Sequence, residues 1–246
     1  QRGENFLEAL SAYSRFHRAQ HWSGTFGEFL RTVVPGNARQ LARSSHEYLW
    51  DMLNWFGKNS PGANGTSNGN SNGNAPSEGA GSKELFKREL FGIDEPLGRI
   101  VDYFKAAAAG SDVGRRLLML LGPPWGGKST MAILLKRGLE EYSHTDEGAM
   151  YALQGSPMHE SPLDLIPASL RAEFRDTYGV EIKGELSPWA RDRLEREFEG
   201  DFLRMPVERV FLSEASRVGV GTYAPHDPST ADLADREHFD LERFVA

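Results

Sequence analysis

Gly122, Gly127, Lys128 and Ser129 stand at the spacing G-x-x-x-x-G-K-[ST] inside G-P-P-W-G-G-K-S-T, residues 122–130. A chain of average composition and this length matches that pattern by chance in about one case in a hundred. Residues of these types at this spacing suit the holding of a nucleoside triphosphate. Glycines let consecutive backbone N–H groups turn inward around phosphate oxygens, where a Cβ would block them. A helix beginning near Lys128 would aim its unpaired amides and its positive dipole end at the same anion. Lys128 is placed to contact the β- and γ-phosphates, and the Ser129 hydroxyl to ligate Mg²⁺. Pro123 and Pro124 stiffen the loop by fixing φ. The candidate binding set is Gly122, Pro123, Pro124, Trp125, Gly126, Gly127, Lys128, Ser129 and Thr130. The bland alternative is a Gly/Pro turn that merely joins a strand to a helix.

The flanks decide between these readings. Leu117 to Leu121 is an unbroken apolar run, which suits a strand buried on both faces. Beyond the glycines, Met131, Leu134, Leu135 and Leu139 recur at helical spacing, so the stretch reads strand, loop, helix. That is the setting the pattern requires.

Further elements follow from periodicity. Phe6, Leu7, Leu10, Tyr13 and Phe16 mark an amphipathic helix over 4–20. Thr25 is placed to cap a second short helix carrying Phe26, Phe29, Leu30 and Val33, which ends at Val34-Pro35-Gly36. A third is expected from about Ala38 to Phe56. Packing among these three helices accounts for Trp22, Trp50 and Trp55 better than a base-stacking surface does. Residues 57–82 are Gly, Asn and Ser with almost no apolar side chain, so they cannot offset their own ordering entropy. As a flexible linker they would span on the order of 28 Å. Beyond it, helices are expected at 95–108, 167–178 and 188–198, and strands at 148–153 and 207–212. Alternation of strand and helix about the loop favours an α/β fold with a parallel sheet. The expected division is a helical N-terminal subdomain (1–56), the linker (57–82) and a nucleotide-binding domain (83–246).

Composition narrows the function. The 246 residues include no cysteine, which excludes disulfide scaffolds and thiolate metal sites and fits a cytoplasmic location. No run reaches the length of a membrane-spanning helix. Net charge is −7, with residues 83–246 carrying −8 and residues 1–56 carrying +1. An acidic main domain argues against a nucleic-acid footprint.

Several blocks of the sequence carry a resemblance. W-S-G-T-F-G-E-F-L (22–30), A-R-S-S-H-E-Y-L-W-D-M-L (42–53), E-L-F-G-I-D-E-P-L (89–97), the phosphate loop and L-K-R-G-L-E-E-Y-S-H-T-D-E-G-A-M-Y-A-L (135–153) come in order. They are followed by S-P-M-H-E-S-P-L-D-L-I-P (156–167) and V-E-R-V-F-L-S-E-A-S-R-V-G-V-G-T-Y (207–223). Together they resemble the PrkA-type serine protein kinases of bacteria, whose N-terminal portion is an AAA-type ATPase module. The resemblance implies a P-loop NTPase of three α/β/α layers, ATP with Mg²⁺ as cofactors, a protein substrate for the full-length protein and a ring-like homo-oligomer. It also implies that Ile93, in Phe91-Gly92-Ile93, lies near the adenine ring; a core position at a helix entrance is the alternative. The acids of the Walker B strand and the arginines that sense the γ-phosphate are expected beyond Ala246, leaving the domain incomplete at that end. No H-R-D or D-F-G kinase signature occurs. The rivals are an AAA-type remodelling or protease-associated ATPase and a nucleotide-responsive binding module.

Two constellations compete for a catalytic acid. Val207–Leu212 followed by Glu214 resembles a strand with a carboxylate at its carboxyl end, although no Asp precedes Glu214. His159 and Glu160 could form an acid–base pair or a metal site, but two adjacent loop residues fall short of three ligands. A hydrogen-bonded loop anchor or a subunit contact is the alternative favoured for them.

Overall fold

The computed structural model describes residues 6–7, 10–11, 21–59, 83–87, 89–90, 92–116, 118–123 and 126–213. In chain order its elements are β1 (Ser23–Thr25), α1 (Phe26–Thr32), α2 (Val34–Leu41), α3 (Ser45–Asn59), α4 (Glu84–Lys87) and α5 (Asp94–Ala108). They continue with α6 (Lys128–Ser143), β2 (Met150–Leu153), α7 (Arg171–Tyr178), α8 (Pro188–Phe198) and β3 (Pro206–Val210). The chain divides into two compact units. One holds residues 1–42 and 149–212, and the other is built chiefly from 43–148.

The first unit is a three-stranded sheet in the order β1-β3-β2, overlaid by helices. Both pairings are antiparallel, with Ser23 opposite Glu208 and Met150 opposite Val210. The parallel sheet expected from strand–helix alternation is absent among the described residues. The reason can be read in β3 itself: Val207 and Val210 are buried, whereas Glu208 and Arg209 between them are half-exposed. An interior parallel strand is covered on both faces and is apolar throughout. Thr25 ends β1 and caps α1 reciprocally. Its hydroxyl accepts the Glu28 N–H at 3.3 Å, and the Glu28 carboxylate accepts the Thr25 N–H at 2.8 Å. Pro35 falls in the first turn of α2, where its missing N–H breaks no helical bond. It starts a helix there instead of ending one, and the expected long third helix is split at Ala42–Ser44. Phe26, Phe29, Val34, Leu153, Leu165, Phe174, Leu194 and Met205 fill this unit's core. Trp22 packs edge-on against Phe29 and Tyr151.

The second unit is helical. α3 packs on α4, α5 and α6, burying Met52, Leu53 and Phe56 with Leu85, Phe86, Leu97, Val101, Met131 and Leu134. Gly138 lets α6 approach closely, since a Cβ there would lie 2.8 Å from Leu85 Cδ2 and 2.9 Å from Met52 Sδ. Arg43 fastens the start of α3 to the end of α6. Its guanidinium donates to Asp51 Oδ2 (2.8 Å), the Tyr142 hydroxyl (3.1 Å) and the Glu147 carbonyl (3.0 Å). Among the described residues no helix is long and apolar enough to cross a membrane.

Candidate nucleotide-binding site

The second unit carries the phosphate loop. Its geometry begins with Gly127, which has φ +76° and is the N-cap of α6. The left-handed conformation favours glycine, and a Cβ there would meet Leu90 Cδ2 at 3.1 Å and Ile93 Cδ1 at 3.6 Å. The Gly126 N–H donates to the Pro123 carbonyl at 3.2 Å and closes a turn. A Cβ on Gly126 would come within 3.1 Å of that same oxygen. Gly126 and Gly127 thus sit where side chains would crowd the loop.

Lys128 lies at the centre. Its ammonium donates to the Gly122 carbonyl at 2.8 Å and to the Pro123 carbonyl at 2.5 Å. The first bond of the helical ladder runs from the Met131 N–H to the Gly127 carbonyl at 2.9 Å. The N–H groups of Lys128, Ser129 and Thr130 thus precede the ladder, and no side chain caps the helix. A 16-residue helix with an uncapped start, a lysine and a curled glycine loop is a donor set that suits a phosphate chain. Ser129 is exposed on the first turn and Thr130 half-buried. No group of three or more His, Asp or Glu side chains able to hold a metal occurs among the described residues. A Mg²⁺ here would take the Ser129 hydroxyl together with oxygens of the nucleotide.

Ile93 is half-buried beside Gly127, at the entrance to α5. Leu90, which the sequence did not single out, stands on the same side. The Glu89–Arg137 ion pair (3.1 Å) ties this segment to α6. The signal for Leu90 was its place in L-F-G-I, three residues before Ile93. Pro124, Trp125 and Glu214 lie outside the described residues, as do Phe91, Leu117, the linker from 60 to 82 and most of the helix expected at 4–20.

The strand expected before the loop differs. Leu118, Met119, Leu120 and Leu121 lie in neither helix nor strand and join no sheet among the described residues, and are 37%, 61%, 37% and 82% exposed. A buried strand needs ladder partners on its edges and cover on its faces; among the described residues neither reaches these four.

His159 and Glu160 belong to the first unit. Glu160 is buried, with both carboxylate oxygens taken up by Ser187, so it is a loop anchor and not half of an acid–base pair. His159 has φ +49°, and burial pushes its imidazole pKa down. β3, the strand that the weak candidate Glu214 would follow, is the central strand of the antiparallel sheet.

Comparison with known proteins agrees with the loop. The model of the PrkA AAA domain matches residues 24–238. The chain is 40% identical over 232 residues to the ATP-dependent protease PrkA of Bacillus subtilis (strain 168), covering 94% of this chain and 34% of that protein. It is 30% identical over 154 residues to the serine/threonine kinase YeaG of Escherichia coli (strain K12), covering 59% of this chain and 23% of that one. The chain thus spans about a third or less of the length of these curated relatives. No solved structure matches. With most of its length matched by the family model and a relative at 40% identity, the chain belongs to the PrkA AAA domain family, and with it to the α/β P-loop NTPases.

Proposed function

We propose that residues 122–130 bind ATP with Mg²⁺ and that the full-length protein couples ATP turnover to phosphorylation of serine in a protein substrate. The observation that carries the binding reading is the Lys128 ammonium on the Gly122 and Pro123 carbonyls, at the uncapped start of α6. An anion entering the loop would give the ammonium charged acceptors in place of two neutral carbonyls, adding charge–charge attraction to bonds whose donor is already ionised. Bound ATP supplies the γ-phosphoryl group. Within this chain Lys128 would hold the phosphates, the α6 amides would oppose their charge, Ser129 would face the metal, and Ile93 with Leu90 would wall the base.

In the three-layer fold proposed here, Leu118–Leu121 serves as a strand of a parallel sheet. We further propose a ring-like homo-oligomer in the cytoplasm, with a neighbouring subunit supplying the arginine that hydrolysis by such modules requires. An ATP-bound full-length protein that sediments as a monomer while hydrolysing ATP would count against the ring.

A second reading has an observation of its own: the relative at 40% identity bears the name of an ATP-dependent protease. Three assays on the full-length protein separate the outcomes. Transfer of label from γ-labelled ATP to protein serine supports the kinase, ATP-dependent peptide cleavage supports the protease, and phosphate release alone supports a remodelling ATPase. Binding itself is tested by calorimetry on Lys128→Ala, for which affinity should fall at least tenfold. Unchanged affinity would remove the assignment.

A further inference from the structure

The first unit contains a buried pair of acids under a strap of chain. The strap, Val180–Ser187, joins α7 to α8 in neither helix nor strand. Its side chains alternate nonetheless: Glu181, Lys183 and Glu185 are exposed, whereas Gly184, Leu186 and Ser187 are buried. In place of a neighbouring strand, Arg171 of α7 holds its backbone, donating to the Gly184 carbonyl at 2.7 Å and to the Ile182 carbonyl at 3.5 Å.

Beneath the strap, Glu160 is 0% exposed and Asp164 5%. The two acids are treated differently. The Glu160 carboxylate accepts the Ser187 N–H at 2.5 Å and the Ser187 hydroxyl at 2.7 Å. That hydroxyl oxygen in turn accepts the Ala190 N–H at 3.2 Å and caps α8. Asp164 has nothing equivalent, and its Oδ2 finds no hydrogen-bond partner among the described residues. Gly184 presses on this carboxyl so closely that a Cβ would fall 2.4 Å from Oδ1.

The charged groups acting on the pair are few. Arg171 from α7 and Glu160 act on Asp164, and Arg191 from α8 acts on Glu160. Arg171 spends its donors on the carbonyls of Ile166, Ile182 and Gly184, and Arg191 lies 3.5 Å from the exposed Glu185. His159, next in the chain, feels Glu208 of β3. The three charged residues of the strap itself are exposed.

We propose that the strap is a proton-gated latch: it lies closed while the Glu160–Asp164 pair keeps one proton, and lifts from Asp164 when both carboxyls are ionised. Two negative charges cannot be held side by side in a dry site without great cost. Glu160 accepts two hydrogen bonds, which favour its charged form, so the retained proton belongs on Asp164. Lifting Gly184 and Leu186 would let water reach the second charge. Burial, and then the charge of Glu160, push Asp164 up to about 7. Burial also raises Glu160, with the two Ser187 bonds opposing.

The sign follows from linkage. The closed strap binds the Asp164 proton more tightly than the open one, where the group returns toward its ordinary value near 4. Closure is therefore firmest in acid. It weakens about tenfold per pH unit as pH rises toward 7 and levels off above.

Hydrogen exchange on the whole chain reads this directly. The protection factor of the Ser187 amide should fall about tenfold per unit from pH 5 to near 7, while the Gly179 amide, bonded to the Arg175 carbonyl, stays level. Asp164→Asn, which cannot ionise, should leave Ser187 protected throughout. A flat profile in the unsubstituted protein, or the same slope in the variant, overturns the proposal. Should Asp164→Asn fail to fold, carboxyl ¹³C titration of the unsubstituted protein decides: an Asp164 midpoint below pH 5 refutes the latch, and one near 7 supports it.

Discussion

Replacing single glycines with alanine in the phosphate loop separates its shape from its ligand. At Gly127 the backbone has φ +76° and a methyl group would meet Leu90 Cδ2 at 3.1 Å. Holding an alanine in the left-handed region costs roughly 1–2 kcal/mol, and the tight contact adds to this unless Leu90 turns aside. For a chain of this size that corresponds to a melting temperature lower by about 2–8 °C. At Gly122 the added Cβ would find, among the described residues, only Lys128 Nζ, at 3.8 Å, an ordinary contact. Gly122→Ala should therefore melt within about 1 °C of the unsubstituted protein, a surface-like change. The new methyl nevertheless sits beside the ammonium that would receive a phosphate, so the two variants should part company once ligand is added. Calorimetric melts with and without saturating ATP·Mg²⁺ give both quantities, because a ligand at 100 times its Kd stabilises by about 2.7 kcal/mol. Gly127→Ala should begin lower yet keep part of the upward shift, whereas Gly122→Ala should begin level and lose most of it. Equal starting temperatures would show that the loop is not held in this conformation. An undiminished ATP shift in Gly122→Ala would refute the placing of phosphate beside Lys128.

Two further substitutions test the packing that supports each unit. A Cβ on Gly148 would lie 1.9 Å from the Tyr142 carbonyl oxygen, which the Thr145 N–H and hydroxyl already use. Gly148→Ala must displace backbone, and a loss on the order of 4 kcal/mol or more is expected in urea melts; a loss below about 1 kcal/mol would contradict the geometry. Ser187→Ala removes the cap of α8 and strips Glu160 of its hydroxyl partner, so stability should drop by about 1–3 kcal/mol, read as a lower denaturation midpoint with an unchanged m-value. No change in midpoint would show that Glu160 is satisfied some other way.

The loop and its helix were legible because their signals are local. Gly127, Lys128 and the spacing Met131-Leu134 mark a glycine loop followed by a helix, and α6 begins at Lys128. Thr25 announced its helix by capping chemistry, and the helix expected at 188–198 is found there as α8. What escaped the sequence depends on partners far along the chain. Apolar runs at 117–121 and 207–212 look alike, yet one stays outside any sheet among the described residues and the other is a central antiparallel strand. The charged pair Glu208-Arg209 was the available clue to the second, since it needs a solvated face. Ser23–Thr25 is too short to show a period, and only its register with Pro206–Glu208 makes it a strand. Glu160 advertised itself as a polar loop residue, because nothing local shows that Ser187 returns to it 27 positions later.

Lys128 has a second task that gives its substitution a further consequence. With no anion in the loop, the ammonium bridges the Gly122 and Pro123 carbonyls and so holds the loop's first turn toward the start of α6. Both bonds are exposed, which places their combined worth near the low end, at about 1 kcal/mol. Triphosphate binding must break them, and the gain from the charged acceptors is reduced by that amount. The same bonds keep the glycines curled beforehand, which lowers the entropy lost when an anion arrives. Lys128→Ala should therefore lower the melting temperature of the nucleotide-free protein by about 2–4 °C, besides weakening ATP. If the variant loses ATP affinity while melting unchanged, the carbonyl bonds do not shape the loop and the lysine acts on the phosphates alone. If it melts lower yet binds ATP fully, the lysine only braces the loop and the assignment of residues 122–130 as the ATP site falls.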